Sequence, residues 1–270
     1  MSDACESCPA NARLAQMGLK LENFDRVVAL AGNPNTGKST LFNALTGLRQ
    51  HTGNWPGKTV TRAEGGFEFN HIRYKLVDLP GTYSLLSASQ DEEVARDFIL
   101  FGQPDCTIVV TDATVLERNL NLVLQVLEIT DRVVVAVNLM DEARRKGLDV
   151  DVRSLARDLG VPAIAVTART SEGIPTLLGA VEGVISGDIP TKPHRVQGTP
   201  EFQRAVNELA PMIESLAPGV PNARWLAIRL LDGDTRVQQA LLNGELADLV
   251  ARQGRADTSF SRKIALEGTQ

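Results

Sequence analysis

The sequence predicts an α/β fold: a mainly parallel six-stranded sheet flanked by helices, followed by a small all-helical C-terminal domain. Three observations carry this expectation. Between residues 26 and 186, short β-branched runs alternate with helical stretches, the pattern of a parallel sheet covered on both faces. The first of these strands runs into a Gly-rich loop, Gly32-Asn33-Pro34-Asn35-Thr36-Gly37-Lys38-Ser39, which opens a helix. At Ile189-Pro190-Thr191-Lys192-Pro193 the composition shifts, and beyond it the pattern is wholly helical.

Taken in order, residues 1–24 are small and polar, carry Cys5-x-x-Cys8, and read as a weakly ordered or partly helical extension. Residues 26–31 are a buried-strand run, and residues 38–46 a helix that starts on the Gly-rich loop. Residues 47–60 hold glycines, a proline and Trp55 without periodicity and read as a long loop, a kind of segment that is usually functional or disordered. Alternation returns over 61–69 and 72–78, two strands joined at Asn70-His71. After Pro80-Gly81, residues 90–101 read as a helix with Val94, Phe98 and Phe101 on one face.

Strands at 106–110, 132–137 and 163–166 then alternate with helices at 116–129, 151–159 and 173–186. These elements define a nucleotide domain over 25–188, a linker over 189–198, a helical domain over 199–260 and a tail over 261–270. Thr199-Pro200 is a helix start, a capping residue followed by proline at the first helical position. Phe202, Val206, Leu209, Ile213 and Leu216 follow at helical spacing, with further helices over about 222–231 and 235–252.

Composition limits the function classes. The 270 residues are 43% hydrophobic and 23% charged, ordinary for a globular protein. A net charge of −5 argues against broad electrostatic binding to nucleic acid. Three cysteines, an odd number, give no disulfide framework and suit a reducing cytosol. Asp3, Glu6 and Arg13 stand where a signal peptide needs an apolar core. No run approaches the roughly 18 apolar residues of a membrane span, so a soluble chain is expected.

The loop matches G-x-x-x-x-G-K-[ST] at every fixed position, in the strand–loop–helix context that the motif requires. Gly32 and Gly37 let the backbone curl so that its N–H groups face phosphate oxygens, and the helix adds its positive dipole end. The binding loop is therefore Gly32, Asn33, Pro34, Asn35, Thr36, Gly37, Lys38, Ser39 and Thr40. Lys38 reaches the β- and γ-phosphates and Ser39 presents its hydroxyl to Mg²⁺.

Further stretches specify the base. Asp78-Leu79-Pro80-Gly81 ends an apolar strand, where Asp78 can hold a magnesium-bound water and the Gly81 N–H can meet the γ-phosphate. Thr59, in the long loop, is the second hydroxyl ligand to magnesium, ordered while the γ-phosphate is present. Asn138-Leu139-Met140-Asp141 follows a strand, and the Asp141 carboxylate can accept from guanine N1–H and the 2-amino group. Adenine lacks that donor pair, and the unpaired carboxylate rejects it by several kcal/mol. Thr167-Ala168-Arg169 ends the next strand, where a backbone N–H can contact guanine O6. All of these fall at strand C-terminal ends, where open α/β sheets bind ligands.

Their order and spacing resemble the translation-factor-like class of small GTPases over residues 26–186. The loop, the stretch Gly53-Asn54-Trp55-Pro56-Gly57-Lys58-Thr59-Val60 and Asp78-Leu79-Pro80-Gly81-Thr82-Tyr83-Ser84-Leu85 look like the cytosolic N-terminal part of the bacterial ferrous iron transporter FeoB family. Arg224-Trp225-Leu226-Ala227 through Leu230-Leu231-Asp232-Gly233-Asp234 is similar to that family's helical, guanine-nucleotide-dissociation-inhibitor-like domain. The resemblance covers about residues 25–255. It implies binding of GTP and GDP with Mg²⁺, a location at the cytoplasmic face of the bacterial inner membrane, and a membrane permease domain as partner. The family's membrane segments would follow the C-terminus, so a soluble fragment is expected.

The resemblance also implies potassium-stimulated hydrolysis, with Asn35 as the K⁺ ligand at the matching loop position. Residue 82, where Ras-type proteins carry a water-orienting glutamine, is Thr82. The expected catalytic set is Lys38, Asn35, Thr59 and Gly81, with intrinsic turnover on the order of 10⁻⁴ to 10⁻² s⁻¹. Oligomeric state is left open, a homo-oligomer included.

An RNA-associated assembly GTPase of the Era type is the alternative; it calls for a basic module after the G domain, against which the acidic balance and helical tail speak. Thr82 also leaves open a module that holds GTP and scarcely hydrolyses it. Cys5 and Cys8 supply two thiolates where a structural zinc site needs four ligands, and read as part of a mobile tail. Cys106 reads as a small core residue, His51 and His71 as solvated, and Glu92 and Glu93 as a charged helix start. Trp55 closes over the nucleotide or packs its own loop, and the sequence does not separate the two.

Overall fold

The computed structural model describes residues 14–15, 17–19, 23–47, 50–86, 89–195, 197–244 and 246. The chain divides into two compact units, Leu21–Arg195 and a second formed by Val196–Gln270 with Met1–Lys20.

Seven strands build the first unit among the described residues: β1 (Arg26–Gly32), β2 (Gln50–Asn54), β3 (Thr61–Phe69), β4 (Ile72–Asp78), β5 (Cys106–Asp112), β6 (Val133–Asn138) and β7 (Ala163–Ala165). They lie in the order β2-β3-β4-β1-β5-β6-β7. Pairing is parallel from β4 through β1, β5 and β6 to β7, and antiparallel in β2–β3 and β3–β4. The expected count of six is thus corrected to seven. The extra strand, β2, lies inside the stretch read as loop. His51-Thr52-Gly53-Asn54 is exposed at the sheet edge, so it needs no apolar alternation and carries none. The β3–β4 turn places Asn70 and His71 at φ 50° and 63°, the left-handed pair that a two-residue hairpin requires.

Among the described residues the α-helices of this unit are α1 (Lys38–Thr46), α2 (Gln90–Asp97), which continues as a π-helical turn over Phe98–Gly102, α3 (Leu116–Ile129), α4 (Met140–Arg145), α5 (Val152–Leu159) and α6 (Ile174–Ser186). On one face of the sheet, Val28, Leu30, Ile108 and Val110 pack with Leu41 and Phe42 of α1 and Leu177 and Val181 of α6. Their neighbours in sequence, Val27, Ala29 and Val109, are equally buried toward the opposite face, and α3 packs on β5 and β6 through its buried row Leu122, Val123 and Val126. Burial on both faces explains why β1 and β6 read as near-continuous apolar runs. Each fully buried Leu, Val or Phe contributes about 1.5–3 kcal/mol. Cys106 belongs to this core, and burial pushes its thiol up to about 12. Cys5 and Cys8 lie outside the described residues.

Residues 189–195, expected to begin a linker, run along the first unit. The Lys192 and His194 N–H groups donate to Gly160 O and Leu159 O at 2.9 and 3.0 Å, and Arg195 pairs with Asp131 and donates to Leu127 O at 2.9 Å.

In the second unit α7 (Pro200–Leu216), α8 (Ala223–Leu231) and α9 (Thr235–Leu242) follow one another. Each has a side-chain cap, from Thr199, Asn222 and Asp234. Asp234 does two things: its carboxylate caps α9 and also holds the buried Arg229 of α8 at 3.0 Å. Val206, Ile213 and Trp225 are buried, whereas Leu216, expected on the same face, is exposed. The expected extension of the third helix to 252 falls largely outside the described residues. No helix among the described residues is long and apolar enough to cross a membrane.

Candidate nucleotide site

The candidate residues gather at the C-terminal ends of β1, β4 and β6 and just beyond β7. The loop after β1 curls because Asn35 and Gly37 adopt left-handed φ values of 67° and 78°. The Thr36 hydroxyl closes the curl by donating to Asn33 O at 2.9 Å. A Cβ on Gly32 would come within 2.8 Å of Val110 O, so only glycine lets the loop rest on β5. Asn33 and Thr36 are buried beneath the loop, Asn35 is exposed on it, and Ser39 and Thr40 are exposed in the first turn of α1. No hydrogen-bond partner among the described residues meets the Asn33 amide.

Lys38 Nζ pairs with the Asp78 carboxylate and donates to Leu79 O at 2.7 Å. Burial pushes the Asp78 carboxyl above the usual carboxylate range, and Lys38 opposes the rise. The chain then crosses the loop: a Cβ on Gly81 would sit 3.5 Å from the Pro34 backbone, and the Thr82 N–H donates to Gly32 O at 3.3 Å. Lys38, Asp78 and Gly81 are therefore brought together around the loop.

Thr59 is positioned differently. The β2–β3 connection is a closed six-residue loop, in which the Trp55 N–H donates to Val60 O and the Lys58 N–H to Trp55 O, both at 3.0 Å. Pro56 and Gly57 (φ 70°) occupy the two central turn positions that favour them. Trp55 is buried, with its ring edge-on to Phe98 at 5.4 Å and the Arg62 guanidinium 5.3 Å from its centroid. Of its two readings, loop packing describes this arrangement. Lys58 Nζ pairs with Glu93 at 2.7 Å, and the exposed Thr59 hydroxyl bonds to Gln90 Oε1 at 3.2 Å. Both partners belong to α2.

The base end is cross-linked through buried Asn138 and Thr167. Asn138 donates from Nδ2 to Thr36 O at 2.9 Å and accepts the Ala168 N–H on Oδ1 at 3.0 Å, tying the phosphate loop to the turn after β7. A Cβ on Gly37 would meet Asn138 Nδ2 at 2.4 Å, so that glycine admits the clip. Leu139, at φ 61°, swings the chain into α4, which carries Asp141 in its first turn. Asp141 is held by Arg169 at 2.9 Å and lies 3.7 Å from Arg145. The Thr167 N–H and hydroxyl both go to Glu172, at 2.9 Å to its backbone O and 3.2 Å to its carboxylate, and Glu172 also pairs with Arg144 at 2.7 Å. Hydrogen bonds from Arg144 and Thr167 hold the Glu172 carboxyl below its ordinary range.

Sequence reasoning passed over α4, Glu172, and the contacts of Lys58, Gln90 and Glu93. The only signal for the last group was the acidic start of α2, where Ser89 caps the Glu92 N–H at 3.3 Å.

A complete phosphate-loop motif and an Asn-x-x-Asp stretch, clipped together at the carboxyl edge of this sheet, define the chain as a P-loop GTPase domain. Residues 26–181 match the model of ferrous iron transport protein B, and residues 199–264 that of the FeoB cytosolic helical domain. The chain belongs to the ferrous iron transport protein B family, as its G domain and cytosolic helical domain. The Fe(2+) transporter FeoB of Salmonella typhimurium is 39% identical over 241 residues, covering 87% of this chain and 29% of its own. The chain thus spans less than a third of the length of the curated relatives it matches. Among solved structures, the cytosolic domain of L. pneumophila FeoB is 35% identical with a TM-score of 0.73, covering 86% of this chain and 92% of its own. The cytosolic domain of the T. maritima FeoB iron transporter in a GDP form is 32% identical, also with a TM-score of 0.73, and covers 86% of this chain and 95% of its own.

Proposed function

We propose that this chain is the GTP-hydrolysing regulatory part of a ferrous iron transport protein at the cytoplasmic face of the inner membrane. Nucleotide state would pass from the two switch segments, about 47–60 and 80–92, through the helical domain to a membrane permease domain. In this reading 25–188 is the G domain, 189–198 the connection, 199–260 the dissociation-inhibitor-like domain, and 261–270 leads toward the membrane part, with 1–24 an extension. The carrying observation is the meeting of Lys38 with Asp78 and Leu79 beneath Gly32–Ser39, clipped by Asn138 to the guanine turn.

The phosphate loop N–H groups bind the β-phosphate, and Lys38 exchanges its bond to Asp78 for the β- and γ-phosphates. Asp141 reads guanine N1–H and the 2-amino group, and a backbone N–H of Thr167-Ala168-Arg169 meets O6. The donor set Ser39, Thr59 and Asp78 is all oxygen and suits Mg²⁺, with Asp78 acting through a water. When bound, magnesium neutralises charge on the β- and γ-oxygens. Asn35, exposed and left-handed at the crest of the loop, offers an amide oxygen that suits K⁺. Positive charge there stabilises what develops in the transition state, as an arginine finger would. Gly81 presents its N–H to the γ-phosphate. Thr82 has no amide with which to orient water, so turnover is slow without help.

Steady-state GTP hydrolysis in matched KCl and NaCl, with and without Asn35→Ala, tests this. The expected result is about tenfold or greater stimulation by KCl, lost in the variant. Equal slow rates in both salts would remove Asn35 from catalysis.

A further inference from the structure

We infer that Lys58 and Glu93 form an electrostatic clasp that holds the first switch on the helix of the second and sets how strongly the chain prefers GTP to GDP. The inference rests on the reading of Thr59 as a magnesium ligand of the GTP-bound state. Two consecutive residues of the loop are held by two residues one turn apart on α2: Lys58 by Glu93 at 2.7 Å and Thr59 by Gln90 at 3.2 Å. Positions three apart lie on one helical face, so both contacts must part together for residues 58–59 to leave α2. The base of the loop is held separately, by Trp55 on Phe98 and by the Trp55 N–H to Val60 O. Opening the clasp therefore releases the tip of the loop without dismantling its root.

The pair is built to matter more than an ordinary surface contact. Both side chains are only 26% exposed, which limits screening. Behind them lies the Arg96–Asp97 pair at 2.7 Å, in which Arg96 is buried. Lys58 is thus the loop's cation on a helix face that presents the carboxylates of Glu93 and Asp97. GDP, which lacks the γ-phosphate, makes no call on Thr59 and leaves the clasp closed. GTP has to draw Thr59 to the metal, so its apparent affinity is reduced by the fraction of molecules in which the clasp is shut. Lys58 and Glu93 are positioning residues: they touch neither nucleotide nor metal and act through Thr59.

The test is the ratio of GDP to GTP-analogue dissociation constants, measured by equilibrium fluorescence with labelled GDP and a non-hydrolysable GTP analogue in magnesium buffer. Lys58→Gln and Glu93→Gln should each raise preference for the analogue about threefold to fivefold, chiefly by tightening the analogue, the scale of one partly exposed ion pair. The exchanged pair, Lys58→Glu with Glu93→Lys, should return the ratio toward wild type, which loss of packing alone would not do. Thr59→Ala is the control and should lower the ratio. An unchanged ratio in both single variants, with Thr59→Ala still lowering it, overturns the clasp and leaves the metal assignment standing. An unchanged ratio in Thr59→Ala overturns the assignment of Thr59, and the clasp falls with it.

Discussion

The two ends of the nucleotide site are held by different means. At the base end the linking groups are buried: Asn138 is 1% exposed, Thr36 1% and Thr167 2%, and single side chains bridge backbone groups distant in sequence. At the switch end the contacts are between side-chain tips near solvent, Lys58 to Glu93 and Thr59 to Gln90, with Tyr83 and Leu86 about half exposed. A buried hydrogen bond is costly to break because the freed groups find no water, whereas partly exposed groups that part can turn to water as a partner. The clip between the phosphate loop and the turn after β7 is thus fixed in the fold, whereas the Lys58–Glu93 and Thr59–Gln90 contacts can part without stranding buried groups.

The comparison is broken most forcefully at its rigid end. Asn138→Ala strands the Thr36 carbonyl and the Ala168 N–H together, and should cost about 3 kcal/mol in unfolding free energy and weaken GTP and GDP alike. Denaturant unfolding with GDP titration checks both; loss confined to GTP would show that the clip serves the switches instead. Asp141→Asn tests the base reader on its own. It should move preference from GTP toward xanthosine triphosphate by about a hundredfold, because an amide donor suits a 2-keto group, and unchanged preference in competition binding would refute the pocket.

Acidity sharpens the contrast further. Asp78 has its carboxyl raised by burial, so folding favours its protonated form. Its contribution to stability is present at low pH and is lost as pH rises through the raised value. Wild type should therefore gain stability relative to Asp78→Asn as pH falls from 7 toward 4, in denaturant melts across that range. Glu172 runs the other way: its carboxyl is lowered, so its contribution holds above the ordinary glutamate range and fades only as pH falls through the lowered value. In the same denaturant melts Glu172→Gln should match wild type in stability at the most acid end and fall slightly below it near neutrality, the smallest of these effects.

The parallel core and the phosphate loop were legible in the sequence because each rests on a local signal. β1 is a continuous apolar run, and the loop fixes its glycines by conformational need at Gly37 and close approach at Gly32. The helix α3 falls at residues 116–129, where apolar spacing alone sets it. What stayed hidden had no local cause. The strand β2 exists because β3 offers it an edge, and Gln50-His51-Thr52-Gly53-Asn54 carries no apolar face that announces pairing. Glu93 read as a helix-start charge because its partner lies 35 residues away. Asn138 was legible as a base-site residue, but its service to two backbone segments appears only when β6 sits between them.

The hairpin carrying Thr59 limits how far that residue can travel. Thr59 stands two residues from Thr61, which is paired with Asn54 at the end of the β2–β3 ladder. A fully extended chain covers at most about 3.5 Å per residue, so Thr59 can lie no farther than roughly 7 Å from that pivot. Any longer excursion must first unzip the last rung. The sheet margin is thus the fulcrum of a short lever, and the unpaired residues beyond it set the lever's length.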